Sequence, residues 1–353
     1  MKIKLSQILV VIYFILVFLL LKIFNILSIT ILATALLVDY FTNIRNGIKN
    51  LLYIFAALSI FPTLLSLFLL YLPFAIFGFL LTKRSFVRNY VLAFAISFIP
   101  LNIIYLITTY LSIPLKYPLI FLIFYLLPLI AIIILKKSSF NFFEIDNKEF
   151  MFIIIVLLFT NIVASNIIDD KSLFIANGVR IFSRVQVAVK GLNAYDTVPI
   201  YNPGIAQGEA TYLWNTPSFK VHAALANYLL KPKSAILLFN IQSFFILFLS
   251  ILSLGVLFRS IINQEESTLN LLAVVATTVL TGLNFYFLQM LESFKAFYIY
   301  PIAYLFLSLI FDNPKKFSDF LILMYMATIF TIIHLPYGSG VLLIGAILFL
   351  LTK

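Results

Sequence analysis

The stretch YPLIFLIFYLLPLIAIIIL, residues 117–135, holds no Asp, Glu, Lys, Arg or His. As an α-helix it is about 28 Å long at 1.5 Å per residue, close to the ~30 Å hydrocarbon core of a bilayer. Its apolar residues run on without alternating. It therefore reads as a helix and not as a strand of a closed barrel, the other backbone form that hydrocarbon accepts.

Comparable runs lie on both sides of it, near 89–112, 150–167, 234–258, 268–289, 294–311, 318–334 and 338–352. The first apolar block, Leu5 to Val38, is interrupted by Lys22 and Asn25. One helix over that block would be about 50 Å long, too long for a single crossing, so two short helices in a hairpin are expected. Leu51 to Leu81 has the same character, with Pro62 and Pro73 as expected breaks. The sum is an all-α polytopic transmembrane bundle of about twelve spans. Residues 1–149 form about six N-terminal spans, and residues 150–353 form a second module.

Composition agrees. The chain is 63% hydrophobic and only 10% charged, against about 25% charged in soluble domains, so its outer surface has to face lipid. There are no cysteines, which excludes disulfides, zinc-thiolate centres and iron–sulfur clusters. The net charge of +11 is scattered between apolar runs and forms no basic stripe, which argues against nucleic acid as a partner. The start, Met1-Lys2-Ile3-Lys4, has the charge of a leader but no small-residue cleavage site after it. It is expected to open the first span.

Arg45, Lys49, Lys83, Arg84, Arg88, Lys136, Lys137, Lys148, Arg259, Lys315, Lys316 and Lys353 all fall on one side of the expected topology. The short opposite loops hold Lys22, Lys116 and Lys295. The positive-inside bias then puts both termini in the cytoplasm of a multi-pass cell-membrane protein.

Residues 168–233 break the pattern. They gather basic and acidic side chains, Pro, Gly and the only tryptophan, Trp214. A long loop crosses the membrane largely regardless of charge, and its aromatic content argues against disorder. An ordered external loop containing interfacial helices is expected. Asp169-Asp170 opens it. Phe174, Gly178, Ile181, Val185 and Val189 then recur at helical spacing, with Asn177, Arg180 and Arg184 on the other side and Gly191 as the stop. A Pro- and Gly-punctuated stretch follows, and Thr216-Pro217 then starts a second helix as N-cap and first position.

Each polar residue here has two readings. Asp169 and Asp170 either cap the interfacial helix, or one of them serves as catalytic base or metal ligand. Arg180 and Arg184 either touch headgroups or grip a lipid-linked phosphate. His222 is either a hydrogen-bonded structural residue or part of a site. Glu292 and Lys295 are an exposed helix-end pair worth under about 1 kcal/mol, or they flank the same site. His334 sits in an outer turn. No phosphate-cradling glycine loop, Gly-x-Ser-x-Gly elbow or His-Glu-x-x-His motif occurs.

The order of the loop is an acidic pair after a span, a helix, Gly191-Leu192-Asn193-Ala194-Tyr195-Asp196, then Thr216-Pro217-Ser218-Phe219-Lys220-Val221-His222 running into a helix. It resembles the first large external loop of the GT-C superfamily of membrane glycosyltransferases over roughly residues 150–310. Ala194 stands where that family's G-x-x-P-Y stretch has proline, and Asn215-Thr216-Pro217 where it has Tyr-Pro-Pro. The resemblance implies sugar transfer from a polyprenyl-phosphate-linked donor at the outer face. Asp169 or Asp170 would be the base, helped by a divalent metal (Mg or Mn). Arg180, Arg184, His222 and Glu292 would make substrate contacts. Many members carry a soluble C-terminal domain that is not expected here. A transporter or lipid flippase, and a non-catalytic membrane assembly protein, are the competing readings. Oligomeric state is not legible.

Overall fold

A computed structural model describes residues 5–21, 25–42, 44–82, 85–135, 145–165, 178–198, 201–202, 209–210, 218–262, 294–312, 317–333 and 335–351. The fold is all-α. Its helices are α1 (Leu5–Leu21), α2 (Ile26–Phe41), α3 (Asn46–Leu58), α4 (Pro62–Thr82), α5 (Phe86–Ile96), α6 (Phe98–Tyr105), α7 (Tyr117–Leu135), α8 (Asn147–Ser165), α9 (Gly178–Tyr195), α10 (Ser218–Leu230), α11 (Ala235–Ile262), α12 (Phe294–Phe311), α13 (Phe317–Ile333) and α14 (Leu335–Leu351). A π-helical turn, Leu106–Tyr110, extends α6. The described extended backbone is a two-residue antiparallel pair, Tyr201 with Ala210 and Asn202 with Glu209.

Among the described residues, four helical stretches are long and apolar enough to cross a membrane, namely Pro62–Leu80, Phe86–Thr109, Tyr117–Ile134 and Ala235–Ile261. The expected span at 268–289 lies outside the described residues. The break at Lys22–Asn25 does divide the first block into α1 and α2. However, α1 packs chiefly on α8, distant in sequence, and α2 on its chain neighbour α3, so α1 and α2 do not pack chiefly on each other as the expected hairpin would. Pro62 starts α4, as its missing N–H allows, whereas Pro73 is carried inside the helix.

The core runs through α11, of whose apolar window 94% is buried, while the window of α7 is only 22% buried and faces outward. Lipid is as apolar as leucine, so close packing and polar contacts, not dehydration, hold such helices together. The α4–α5 contact shows the packing: a Cβ on Gly78 would stand 2.8 Å from the carbonyl oxygen of Asn89.

The polar contacts gather at helix ends. At one end Arg88, on the first turn of α5, pairs with Asp312 just after α12 and donates to Ser260 of α11 at 2.6 Å. Asn50 of α3 donates to the carbonyl of Ile145 at 2.9 Å. Asp146 caps α8 by accepting the Glu149 amide at 2.7 Å. Glu149 does not turn back on its own cap as in a capping box. Its carboxyl instead accepts the amide of Val87 at 2.6 Å and so caps the neighbouring α5. Lys49 of α3 reaches Asp39 of α2 at 2.8 Å, with both side chains buried. Its ammonium also donates to the carbonyls of Asp39 and Thr42, while the Asp39 carboxylate accepts from Gln7 and Tyr53. At the opposite end Asn25 caps α2 and donates to the Ser59 carbonyl at 3.1 Å. There Leu115 donates to the carbonyl of Asp196 at 2.8 Å, and the Tyr117 hydroxyl to that of Leu229 at 3.1 Å.

Breaking a buried ion pair from one side leaves an uncompensated charge. Lys49→Ala is therefore expected to destabilise by about 3–5 kcal/mol, and the double replacement Asp39→Asn with Lys49→Met by much less; thermal unfolding in detergent reads both. Glu149 stands ahead of the apolar run of α8, and burial, with Asp146 adding to it, holds its carboxyl above the ordinary carboxylate range against the pull of the Val87 amide. The folded chain therefore keeps that proton to higher pH than the unfolded chain. Stability is full below the ordinary glutamate pKa and falls as pH rises toward the raised value. Glu149→Gln should flatten that slope in melts taken from pH 4 upward.

Candidate functional site

Of the expected site residues, Asp169, Asp170 and Glu292 lie outside the described residues, as do Trp214, Thr216, Pro217 and His334. Arg180 stands on the first turn of α9, and its side chain is also outside the described set. Arg184 and His222 are described, and both are buried, at 3% and 1% exposure.

The α9 helix forms where expected, but two details differ. Arg184 does not sit across the helix from the apolar stripe. It is buried with Ile181, Val185, Ala188 and Leu192, because α10 packs along α9 and covers a wide arc of its surface. Gly191 does not stop the helix, which runs to Tyr195 with Gly191 buried inside it. The chain turns at Asp196, at φ 56°, a left-handed conformation that Asp tolerates better than most residues.

The second helix, α10, departs further from a place at the membrane surface. Residues 222–229 are all buried, as befits a helix that is apolar nearly all round. It packs against α6, α9 and α11. His222 meets Tyr71, near the middle of the apolar stretch of α4, and Ser97, near the middle of the Phe86–Thr109 stretch. The first half of α10 thus descends among the spans, while its end, at Leu229 and Lys231, stays beside Tyr117.

The surroundings of His222 define its chemistry. Its ring stacks on Phe98 at 4.5 Å and on Tyr71 at 5.3 Å, with Phe94 edge-on at 5.1 Å. The Ser97 hydroxyl donates to the Phe94 carbonyl at 2.6 Å. Its oxygen is then left to accept from Nε2 of His222 at 3.2 Å. Nδ1 in turn accepts from the Tyr71 hydroxyl at 3.4 Å. That arrangement assigns a neutral Nε2–H tautomer with both nitrogens engaged. Nearby, Gln242 of α11 donates to the Ala223 carbonyl at 3.4 Å, and Asn227 to the same carbonyl at 3.2 Å.

Among the described residues, no three His, Asp or Glu side chains stand close enough to hold a metal. The two carboxylates expected as ligands lie outside that set. Sequence reading did not single out the buried Asp39–Lys49 cluster, yet a signal was present. Asp39 is the only acidic residue before Glu144, and a lone carboxylate inside an apolar run needs a partner.

His222→Phe keeps the stacking and removes both hydrogen bonds, so a loss of about 1–3 kcal/mol is expected. His222→Ala also empties the ring's volume and should cost about 3–5 kcal/mol. Unfolding midpoints of the two variants against the native chain check the order. A search against family models, curated proteins and solved structures finds no match to this chain.

Proposed function

We propose that this chain is a cell-membrane glycosyltransferase of about twelve spans, with both termini cytoplasmic. On this reading it transfers a sugar from a polyprenyl-phosphate-linked donor to an acceptor at the outer face. The observation that carries the reading is the folded segment α9–α10, which buries a permanently charged guanidinium, Arg184, against the bundle directly downstream of Asp169-Asp170. A guanidinium stays charged when buried, and outside bulk water it acts on a phosphate far more strongly than a surface cation does. Leaving-phosphate stabilisation needs such a group, and activation of an acceptor hydroxyl needs a carboxylate at the membrane rim. In this scheme Asp169 or Asp170 takes the hydroxyl proton, while Arg180 and Arg184 hold the phosphate. Glu292 would join them in binding substrate. His222 braces α10 and touches no substrate atom. The orientation draws support from the end of the bundle where Lys49, Arg88 and Glu149 meet their partners, since that end also carries the one-sided basic residues of the sequence.

A second reading, transport or lipid flipping, has its own support. A span broken at Ser97 and a helix that descends to mid-depth without crossing are how many transporters build a binding site.

Purified full-length protein, incubated with polyprenyl-phosphate sugars and a hydroxyl-bearing acceptor, with and without Mg or Mn, should glycosylate the acceptor and release polyprenyl phosphate. Asn at one of positions 169 and 170 should lower that rate by roughly 100-fold or more. Arg184→Gln should weaken donor binding. Lipid translocation in vesicles without sugar transfer would replace this reading by the second. Full function of both Asn variants would leave the assembly role.

A further inference from the structure

We propose that the edge of the bundle formed by α1, α2 and α3 holds a thinned patch of bilayer and takes lipids with shorter acyl chains than those along α7. The inference rests on the spans proposed above and is independent of the reaction. Two polar layers bound this edge. At one end Gln7 and Tyr53 donate to the Asp39 carboxylate at 2.9 and 3.0 Å, and Lys49 pairs with it at 2.8 Å. At the other end Asn25, between α1 and α2, donates to the carbonyls of Ser59 and Ile60 at 3.1 and 3.4 Å. These bonds hold each layer together across the helices. At 1.5 Å per residue the layers are about 21 Å apart along α2, from Asn25 to Asp39, and about 15 Å along α3, from Lys49 to Ser59. Even from Arg45, exposed ahead of α3, the rise to Ser59 is only about 21 Å. By contrast α7 carries no charge from Tyr117 to Leu135, about 28 Å, which matches a core of ~30 Å.

A helix too short for its bilayer is accommodated by thinning the bilayer, by snorkelling of flanking side chains or by oligomerising. Tilting only lowers its rise further. Snorkelling has little to offer here: Lys49 is buried against Asp39, and the short Asn25 side chain is tied to Ser59. The apolar face of α2 is wide open. Ile26 is 75% exposed at one end, and Tyr40 and Phe41 are 62% and 75% exposed at the other. Aromatic rings at a helix end suit the headgroup level. Ile26 and Phe41 stand about 22 Å apart along the axis. Lipid that covers this face without burying either polar layer is therefore about 8 Å thinner than the ~30 Å core.

The chain has no cysteine, so spin labels at Ile26→Cys and Phe41→Cys read depth directly, by collision with oxygen against a nickel chelate in dioleoylphosphatidylcholine vesicles. Leu119→Cys and Ile134→Cys on α7 have the same spacing in the chain and serve as the reference pair. Both α2 labels are expected to meet the chelate at headgroup level, while both α7 labels favour oxygen. In vesicles of equal dimyristoleoyl- and dieicosenoyl-phosphatidylcholine, a fluorophore at Phe41→Cys is expected to be quenched roughly two-fold more by a nitroxide on the shorter lipid. Oxygen preferred at either α2 label, both labels shielded from both reagents as under a second copy, or equal quenching by the two lipids overturns the thinned edge. Chelate reaching both α2 labels from one side of a sealed vesicle overturns instead the spans on which it rests.

Discussion

A polar group buried away from water has to find its hydrogen bonds inside the protein, and this condition shapes the described polar contacts of the bundle. Backbone groups meet it by forming helices. Side chains meet it by crossing to a neighbouring helix end, where donors and acceptors are left over by the ladder itself. Glu149 is the clearest case: a residue placed to complete its own helix cap serves the first turn of α5 instead. Asp39 and Lys49 form a closed set in the same way, with the ammonium shared among one carboxylate and two carbonyls. These ties are made between α2 and α3, α5 and α8, and α5 and α12. They set which helix ends lie level with one another where apolar packing alone would let the helices slide.

The same condition explains why α10 lies inside the bundle. Its surface is apolar apart from His222, Asn227 and the unassigned first turn, and each of the first two finds a partner: Tyr71 and Ser97 for the histidine, the Ala223 carbonyl for the asparagine. With those needs met, α10 packs inside the bundle, where His222 rests among Tyr71, Phe94 and Phe98. Arg184 is carried inward on α9 by the same packing. The described helices of that segment, α9 and α10, are thus in large part a filling of one half of the bundle.

Much of the fold was legible because the signal was local. Apolar runs are read from length and composition alone, and the runs at 117–135 and 294–311 coincide with α7 and α12. The division of Leu5 to Val38 followed from length against bilayer thickness. The site was legible only in its residue types. Arg184 reads as lying across the helix from the apolar stripe, but at about 100° per residue it stands only about 60° from Ile181, and α10 covers that arc of the helix. Gly191 reads as a stop only if the helix end is exposed; here it is buried inside a helix that runs on to Tyr195.

The sequence by itself determined that this chain is helical, that several of its helices are long and apolar enough to cross a membrane, and where most of them begin and end. These depend on charge, length and proline geometry, which act over a few residues. The tertiary structure alone decided that α1 pairs with α8, that Glu149 caps a foreign helix, and that His222 is a neutral ring held between Tyr71 and Ser97. Those outcomes depend on contacts between residues tens to hundreds of positions apart, and no local property of either partner specifies them.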